Sequence, residues 1–266
     1  MSKMTTNPQL QRFLPWVLPL VLVLAWSLIS SRELIPTYLL PHPQQVLVAG
    51  FDYILGDPQK GIYTGRFLGD FSASIGRVLL GFALATIIGL PLGLLSGRLN
   101  SIQLLLGSTL NALRAVPGIC WLPLALIWFG IGLKTTVFLV ALAAFFPIFL
   151  NAEAGARQIN PTMIQAGTML GMNRRRRIYR VLIPAAMPHI VTGLRLGMGI
   201  SWAYLVLGEL TGVPNGLGAV IMDARMLGRN DIIIVGIILI ALIGRLCDTG
   251  LHLLLRLFFK SARRLT

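Results

Sequence analysis

Four arginines fall inside or at the edge of long apolar runs: Arg77, Arg114, Arg195 and Arg245. A charge placed there is costly in hydrocarbon, so each needs a partner or a use. Arg195 stands eleven residues beyond Pro184, which at helical rise puts it ~16 Å along its helix and near the membrane middle. Two roles are open to it: attracting an anion that crosses the membrane, or pairing across a helix interface with carbonyls or groups beside Glu209. Met198 and Trp202 share a face of the same helix and line either that path or the packed interior. Arg114, three residues before Pro117, suits carbonyls freed by a proline kink. Arg245 and Asp248, at i and i+3, read as an internal ion pair. Nothing here resembles a catalytic constellation. His42, His189 and His252 are isolated from one another, so no metal set is predicted. Cys120 and Cys247 lie in apolar stretches and form neither a disulfide framework nor a C-x-x-C pair. Residues 130–136, GIGLKTT, are superficially like a phosphate loop but lack adjacent Gly-Lys and occupy a short turn. Walker A, H-E-x-x-H and G-x-S-x-G motifs are missing from the sequence, so a non-enzymatic chain without a cofactor of its own is expected.

The elements that must position these residues are membrane helices. The chain has 266 residues, 55% hydrophobic and 12% charged, with a mean hydropathy of +0.77. That composition fits a polytopic all-α membrane protein rather than a soluble domain. The net charge of +14 does not point to nucleic acid. Its arginines sit at the ends of apolar runs, where topology and anionic lipid account for them.

In order, a polar lead to Arg12 precedes an uncharged run, Phe13–Ser31, long enough for an anchor span. Arg32–Asp70 is turn-rich and reads as an extramembrane segment, helical around Pro43–Leu55. Val78–Gly97 is the second span, with Gly81, Gly89, Gly93 and Gly97 permitting close helix approach. The third runs from Ile102 to Phe129 and is expected to kink at Pro117 or Pro123. Thr135–Asn151 is the fourth, Pro184 to about Gly208 the fifth, and Asp231 to Phe259 the sixth. Glu209–Asn230 is expected to be a loop. The division predicted is an N-terminal anchor and outer segment (1–70), a core (71–259) with a central loop (152–184), and a basic tail (260–266).

That central loop holds the densest polar chemistry. Asn160 can cap a helix, and Pro161 suits its first position. Gly171 can supply the left-handed residue that ends it. About ten residues span ~15 Å, too short to cross a bilayer. Met163, Ala166, Gly167 and Leu170, at i, i+3, i+4 and i+7, give it one apolar side. A second segment opens near Asn173 and carries Arg174–Arg177 to Pro184, where the apolar sequence resumes.

This stretch resembles the signature loop of ABC importer permeases: E-A-A, three residues, Gly, nine residues, I-x-L-P. The positions here read Gln165-Ala166-Gly167, Gly171 and Val181-Leu182-Ile183-Pro184. The spacing holds throughout, with Gln165 and Gly167 as departures. Further segments resemble the sulfonate, taurine, nitrate and bicarbonate branch, and the aliphatic sulfonate permease in particular. They are Ile35–Pro43 with the helical segment after it, Leu113–Pro117, Trp128–Gly132, Phe146–Ile148, Ile190–Trp202 with Glu209, and Gly244–Asp248. The resemblance implies a type I ABC importer permease, working as a homodimer with two cytoplasmic ATPase subunits and a substrate-binding protein. It implies that Met163, Gln165, Ala166, Gly167, Leu170, Gly171 and Pro184 belong to a coupling helix region seated on the ATPase. ATP and Mg would then be bound by that partner and not by this chain. Arg195, Met198, Trp202 and Glu209 are the candidates for the translocation path.

Charge sets the expected orientation. Thirteen Lys and Arg flank the side that holds the termini and central loop, against six on the other. The positive-inside rule therefore puts both termini and the coupling helix in the cytoplasm of a bacterial inner membrane. A secondary transporter is the competing reading. It should show inverted half-repeats, which the sequence lacks, and it gives the capped loop helix no purpose.

Overall fold

The computed structural model describes residues 8–258, with side chains from 17 to 257. The lead before Pro8 and the basic tail 260–266 lie outside the described residues. Helices α1 (Pro8–Ser31), α2 (Pro43–Leu55), α3 (Phe67–Arg98), α4 (Asn100–Ala115), α5 (Leu122–Phe129) and α6 (Leu133–Arg157) come first. They are followed by α7 (Pro161–Met169), α8 (Arg174–Arg177), α9 (Ile183–Glu209), α10 (Leu217–Met226) and α11 (Asn230–Phe258). No strand occurs among the described residues.

Four segments are long and apolar enough to cross a membrane: Phe67–Arg98, Leu133–Arg157, Arg174–Glu209 and Asn230–Leu257. A fifth is broken. α4 and the following Gly118–Phe129 meet at 91°, and the break falls at Val116-Pro117, where proline supplies no N–H to continue the ladder. The kink expected at Pro117 or Pro123 is therefore at Pro117, while Pro123 sits in the first turn of α5, where its missing donor costs nothing. With the 24-residue α1 the total approaches the six spans expected.

The chain divides into two compact units. One comprises the residues up to Leu68 with Val220–Ile238. Within it, the Gln45 side chain accepts the His42 backbone N–H at 3.2 Å, closing the start of α2. Trp26 Nε1 donates to the Pro41 carbonyl (3.1 Å) and Ser30 Oγ meets His42 Nδ1 (2.9 Å), fastening α1 to the turn before α2. Asn230 Nδ2 donates to the Tyr38 carbonyl at 2.6 Å.

The second unit comprises Gly69–Ala219 with the residues from Leu239. Its core is a slab with α6 in the middle. Leu139, Val140, Ala144, Ala152 and Ala156 of α6 are fully buried. Small residues let the flanking helices close in: a Cβ on Gly93 or Gly97 of α3 would stand 2.8 Å from the Cβ of Ala152 or Ala156. On the other flank, a Cβ on Gly193 of α9 would stand 2.7 Å from that of Asn151. Lipid gives no hydrophobic drive between helices, so this backbone-level contact supplies the association.

One expectation needs correction. Glu209–Asn230 is not wholly a loop, because it contains α10. The apolar run Leu217–Met222 was masked in sequence by its neighbours Gly212, Pro214, Gly216 and Gly218, which read as a turn. Here the first three form the sharp entry to the helix, with Gly216 at φ +135°, while Gly218 lies in its first turn.

Candidate functional site: a capped surface helix and buried arginines

The helix α7 is finished at both ends. Asn160 Oδ1 accepts the Thr162 N–H at 2.9 Å, and Pro161 occupies the first turn. At the other end Met172 N–H reaches the Gly167 carbonyl and Gly171 N–H the Thr168 carbonyl, both at 3.0 Å. These two crossed bonds form a Schellman motif, which requires Gly171 in the left-handed region; its φ is +70°. α8 follows at once, capped by Asn173 Oδ1 accepting from Arg176 N–H at 2.9 Å.

Met163, Gln165, Ala166 and Leu170 are exposed, and Met169 is 87% exposed. Gly167 alone of the α7 residues is buried. A Cβ there would lie 3.5 Å from Arg177 and 3.7 Å from Met172 and Val181, so the small residue seats α7 on the segment that follows. The Arg177 guanidinium also donates to Thr168 Oγ1. One flank of α7 is thus held by the protein while its methionines and Leu170 face outward. From α8 the chain continues through five residues of π-helix, Ile178–Leu182, into α9, giving 36 continuous helical residues to Glu209. Pro184 lies inside this continuous run, directly after the π-helical turn, so its missing N–H falls where the regular ladder is already interrupted.

The four intramembrane arginines meet different fates. Arg77 and Glu209 form a buried pair at 2.6 Å, with Glu209 fully enclosed. Ser74 Oγ and the Gly218 N–H also donate to that carboxylate (2.7 and 2.8 Å). Arg77 donates besides to the Asn215 carbonyl and side chain (2.7 and 3.0 Å). Asp70 accepts the Gly216 N–H at 2.9 Å. The end of α9, the turn before α10 and the start of α3 are thereby tied together. Every lone pair used raises the value of a buried ion pair that would otherwise be weak.

Arg195 pairs with Asp248 in a two-pronged arrangement, at 3.0 and 2.9 Å. The expected Arg245–Asp248 pair is present but is the weaker of two on that carboxylate. Arg245 stands 3.7 Å from the carboxylate, because its side chain runs outward from α11 while Arg195 presents a planar fork from α9. Arg195 lines a cavity of about 730 Å³ with Thr192, Gly199, Asp248 and His252. Met198 and Trp202 are buried in the helix packing, Trp202 against Gly244 of α11. Arg114 closes α4 and is exposed. No group of three or more His, Cys, Asp or Glu able to hold a metal occurs among the described residues.

The family model described as "Binding-protein-dependent transport system inner membrane component" matches residues 89–264. The chain belongs to that family. It is an inner-membrane permease component with several membrane helices, in the sulfonate, taurine, nitrate and bicarbonate branch. It is 34% identical over 244 residues to the Bacillus subtilis protein SsuC, named for aliphatic sulfonate transport, covering 92% of this chain and 86% of that one. The Escherichia coli taurine transport system permease protein TauC is 34% identical over 236 residues, 89% of this chain and 85% of its own. The nitrate import permease protein NrtB of Synechocystis is 32% identical over 235 residues, covering 88% and 84%. Among solved structures, the inward-facing MetNI methionine ABC transporter superposes with a TM-score of 0.56 at 19% identity, covering 74% of this chain and 99% of that one. This likeness fixes the fold as that of a type I ABC importer permease.

In this permease, sequence reasoning missed the Arg77 cluster. The signal was present: Asp70, Ser74 and Arg77 recur at i, i+4 and i+7, a polar stripe at the head of an apolar helix. Met169 was missed as well, since it falls off the i, i+3, i+4 face used to define the apolar side.

Proposed function

We propose that this permease is the membrane subunit of an ATP-driven importer that carries a small organic anion, an aliphatic sulfonate, to the cytoplasm. The observation that carries the reading is α7: a nine-residue helix rigidly capped at both ends, outside any span, with Met163, Met169 and Leu170 turned outward. An unpartnered apolar face on so short a helix fits a groove on a separate protein. The partners proposed are a second copy of the chain, two ATPase subunits and a binding protein that delivers the solute. ATP and Mg would sit on the ATPase, so no cofactor is assigned to this chain. Met163, Gln165, Ala166, Gly167, Leu170, Gly171 and Pro184 are the coupling region, with both termini on the same cytoplasmic side. Arg195, in its cavity, is the candidate charge along the path, with Asp248 as counter-ion. Glu209, Met198 and Trp202 support the helices around it.

The test is uptake into proteoliposomes holding the permease, its cognate ATPase and binding protein. Accumulation of labelled ethanesulfonate should need internal or external ATP on the ATPase side and the binding protein on the other. Accumulation driven by an ion gradient without ATP would replace this reading with a secondary transporter. Uptake of nitrate, bicarbonate or taurine in its place would keep the importer and change the solute.

A further inference from the structure

Three of the four intramembrane arginines face a carboxylate: Arg77 meets Glu209, and Arg195 and Arg245 share Asp248. Arg114 has no ion pair or hydrogen-bond partner among the described residues. It nevertheless sits at the break of the broken span, where an uncompensated charge is expensive. Two cavities open onto it. One, about 530 Å³, is walled by Trp121, Leu142, Ala143, Phe146 and Tyr204 among others. The second, about 340 Å³, continues past Phe146 and Leu150 to Glu153 and Arg157. Glu153 is already engaged by Arg157 and Ser96, each at 3.2 Å, so it leaves the Arg114 charge standing. Leu142, Phe146, Leu150, Glu153 and Arg157 follow one another at three or four residues along α6, so one helix face lines both cavities. That face runs for ~23 Å, with Arg114 at the junction. The Tyr204 hydroxyl, beside Gly118, is a second donor without a partner among the described residues. Asn151 also lines the first cavity, but its amide already donates to the Pro147 carbonyl at 2.8 Å, and the rest of the wall is apolar.

We propose that Arg114, with the Tyr204 hydroxyl, is the anion-binding subsite of the permease, taking the charged head of a short organic anion. The alkyl tail of that anion rests on Trp121, Leu142, Ala143 and Phe146. A guanidinium with a hydroxyl donor suits a sulfonate, and the apolar wall distinguishes an alkanesulfonate from an inorganic anion. This subsite rests on the reading of the chain as an anion importer, and its test separates the two. The full complex, with cognate ATPase and binding protein, is reconstituted with unmutated permease, Arg114→Gln or Arg114→Lys. Arg114→Gln should lower ethanesulfonate uptake about tenfold or more while binding-protein-stimulated ATP hydrolysis stays within about twofold; Arg114→Lys should recover much of the uptake. Equal uptake by Arg114→Gln and unmutated permease overturns the subsite and leaves the importer reading intact. Failure of the unmutated complex to carry any of ethanesulfonate, taurine, nitrate or bicarbonate overturns both. Ala143→Phe probes the tail independently of the charge: the ratio of hexanesulfonate to methanesulfonate uptake should fall about tenfold, and an unchanged ratio overturns the site. An anionic lipid headgroup offers the same charge. If the Arg114→Gln defect disappears in vesicles of phosphatidylcholine alone, lipid occupies the site and the proposal falls.

Discussion

At the scale of single residues, Gly171 and the Arg77–Glu209 pair are the most exacting positions. A Cβ on Gly171 would meet nothing within 4 Å, so the whole penalty of substitution is conformational, about 1 kcal/mol for most side chains at its φ of +70°. Asparagine tolerates that region better than alanine, and valine worse. Binding-protein-stimulated ATP hydrolysis should therefore fall in the order Gly, Asn, Ala, Val, with membrane abundance unchanged. A scrambled order would detach coupling from the helix end. Glu209 behaves differently because its cost is electrostatic. Glu209→Ala leaves the buried Arg77 uncompensated, a loss of about 3 kcal/mol or more. It should lower the detergent-solubilised melting temperature sharply, and Arg77→Met in the same chain should restore part of it. A double variant no more stable than Glu209→Ala would mean the two charges are not coupled. In the membrane path, Arg195→Gln should cut sulfonate uptake if Arg195 lies along it; unchanged transport would assign Arg195 and Asp248 to helix packing alone.

Among the elements, α7 and the spans were legible because each is written in local rules. Asn160-Pro161 and Gly171 marked the caps of α7 before any fold was known, and the crossed carbonyl bonds at Gly167 and Thr168 match them. Pro117 and Pro123 together marked the bend, and the structure puts it at Pro117. α10 was illegible since its entry turn is held by Asp70 and Ser74, far away in sequence. The Arg195–Asp248 pair was hidden for the same reason: spacing along one helix suggests Arg245, and only the packing of α9 on α11 supplies the better fork. Orientation is testable at this scale too. A cysteine replacing Arg175 should label from the cytoplasmic side only, and one replacing Gln59 from the opposite side only, as the thirteen-to-six asymmetry requires. Labelling of both from one face would contradict the six-span topology.

For the whole molecule, the glycine-lined slab of α3, α6 and α9 sets what can move. Backbones this close have discrete arrangements and little room to slide. A bulky residue at Gly93, such as Gly93→Leu, should disrupt the slab and reduce membrane abundance several-fold by immunoblot. The same change at Gly107, where a Cβ meets nothing within 4 Å, should be tolerated. Equal abundance of the two variants would mean that the slab does not hold the fold.

The 36 helical residues from Arg174 to Glu209 have a mechanical consequence. At 1.5 Å each they make a rod of about 54 Å, with the α7 contact at one end and the Arg77 tether at the other. A rod of that length turns a tilt of about 5° into roughly 5 Å of travel at its far tip. Were α7 pushed, as the proposed coupling requires, a modest tilt would suffice to strain the knot of Asp70, Ser74, Arg77 and Glu209. The π-helical turn at Ile178–Leu182 marks where such a rod would give, so stiffening it by deleting one residue there should trade reach for force.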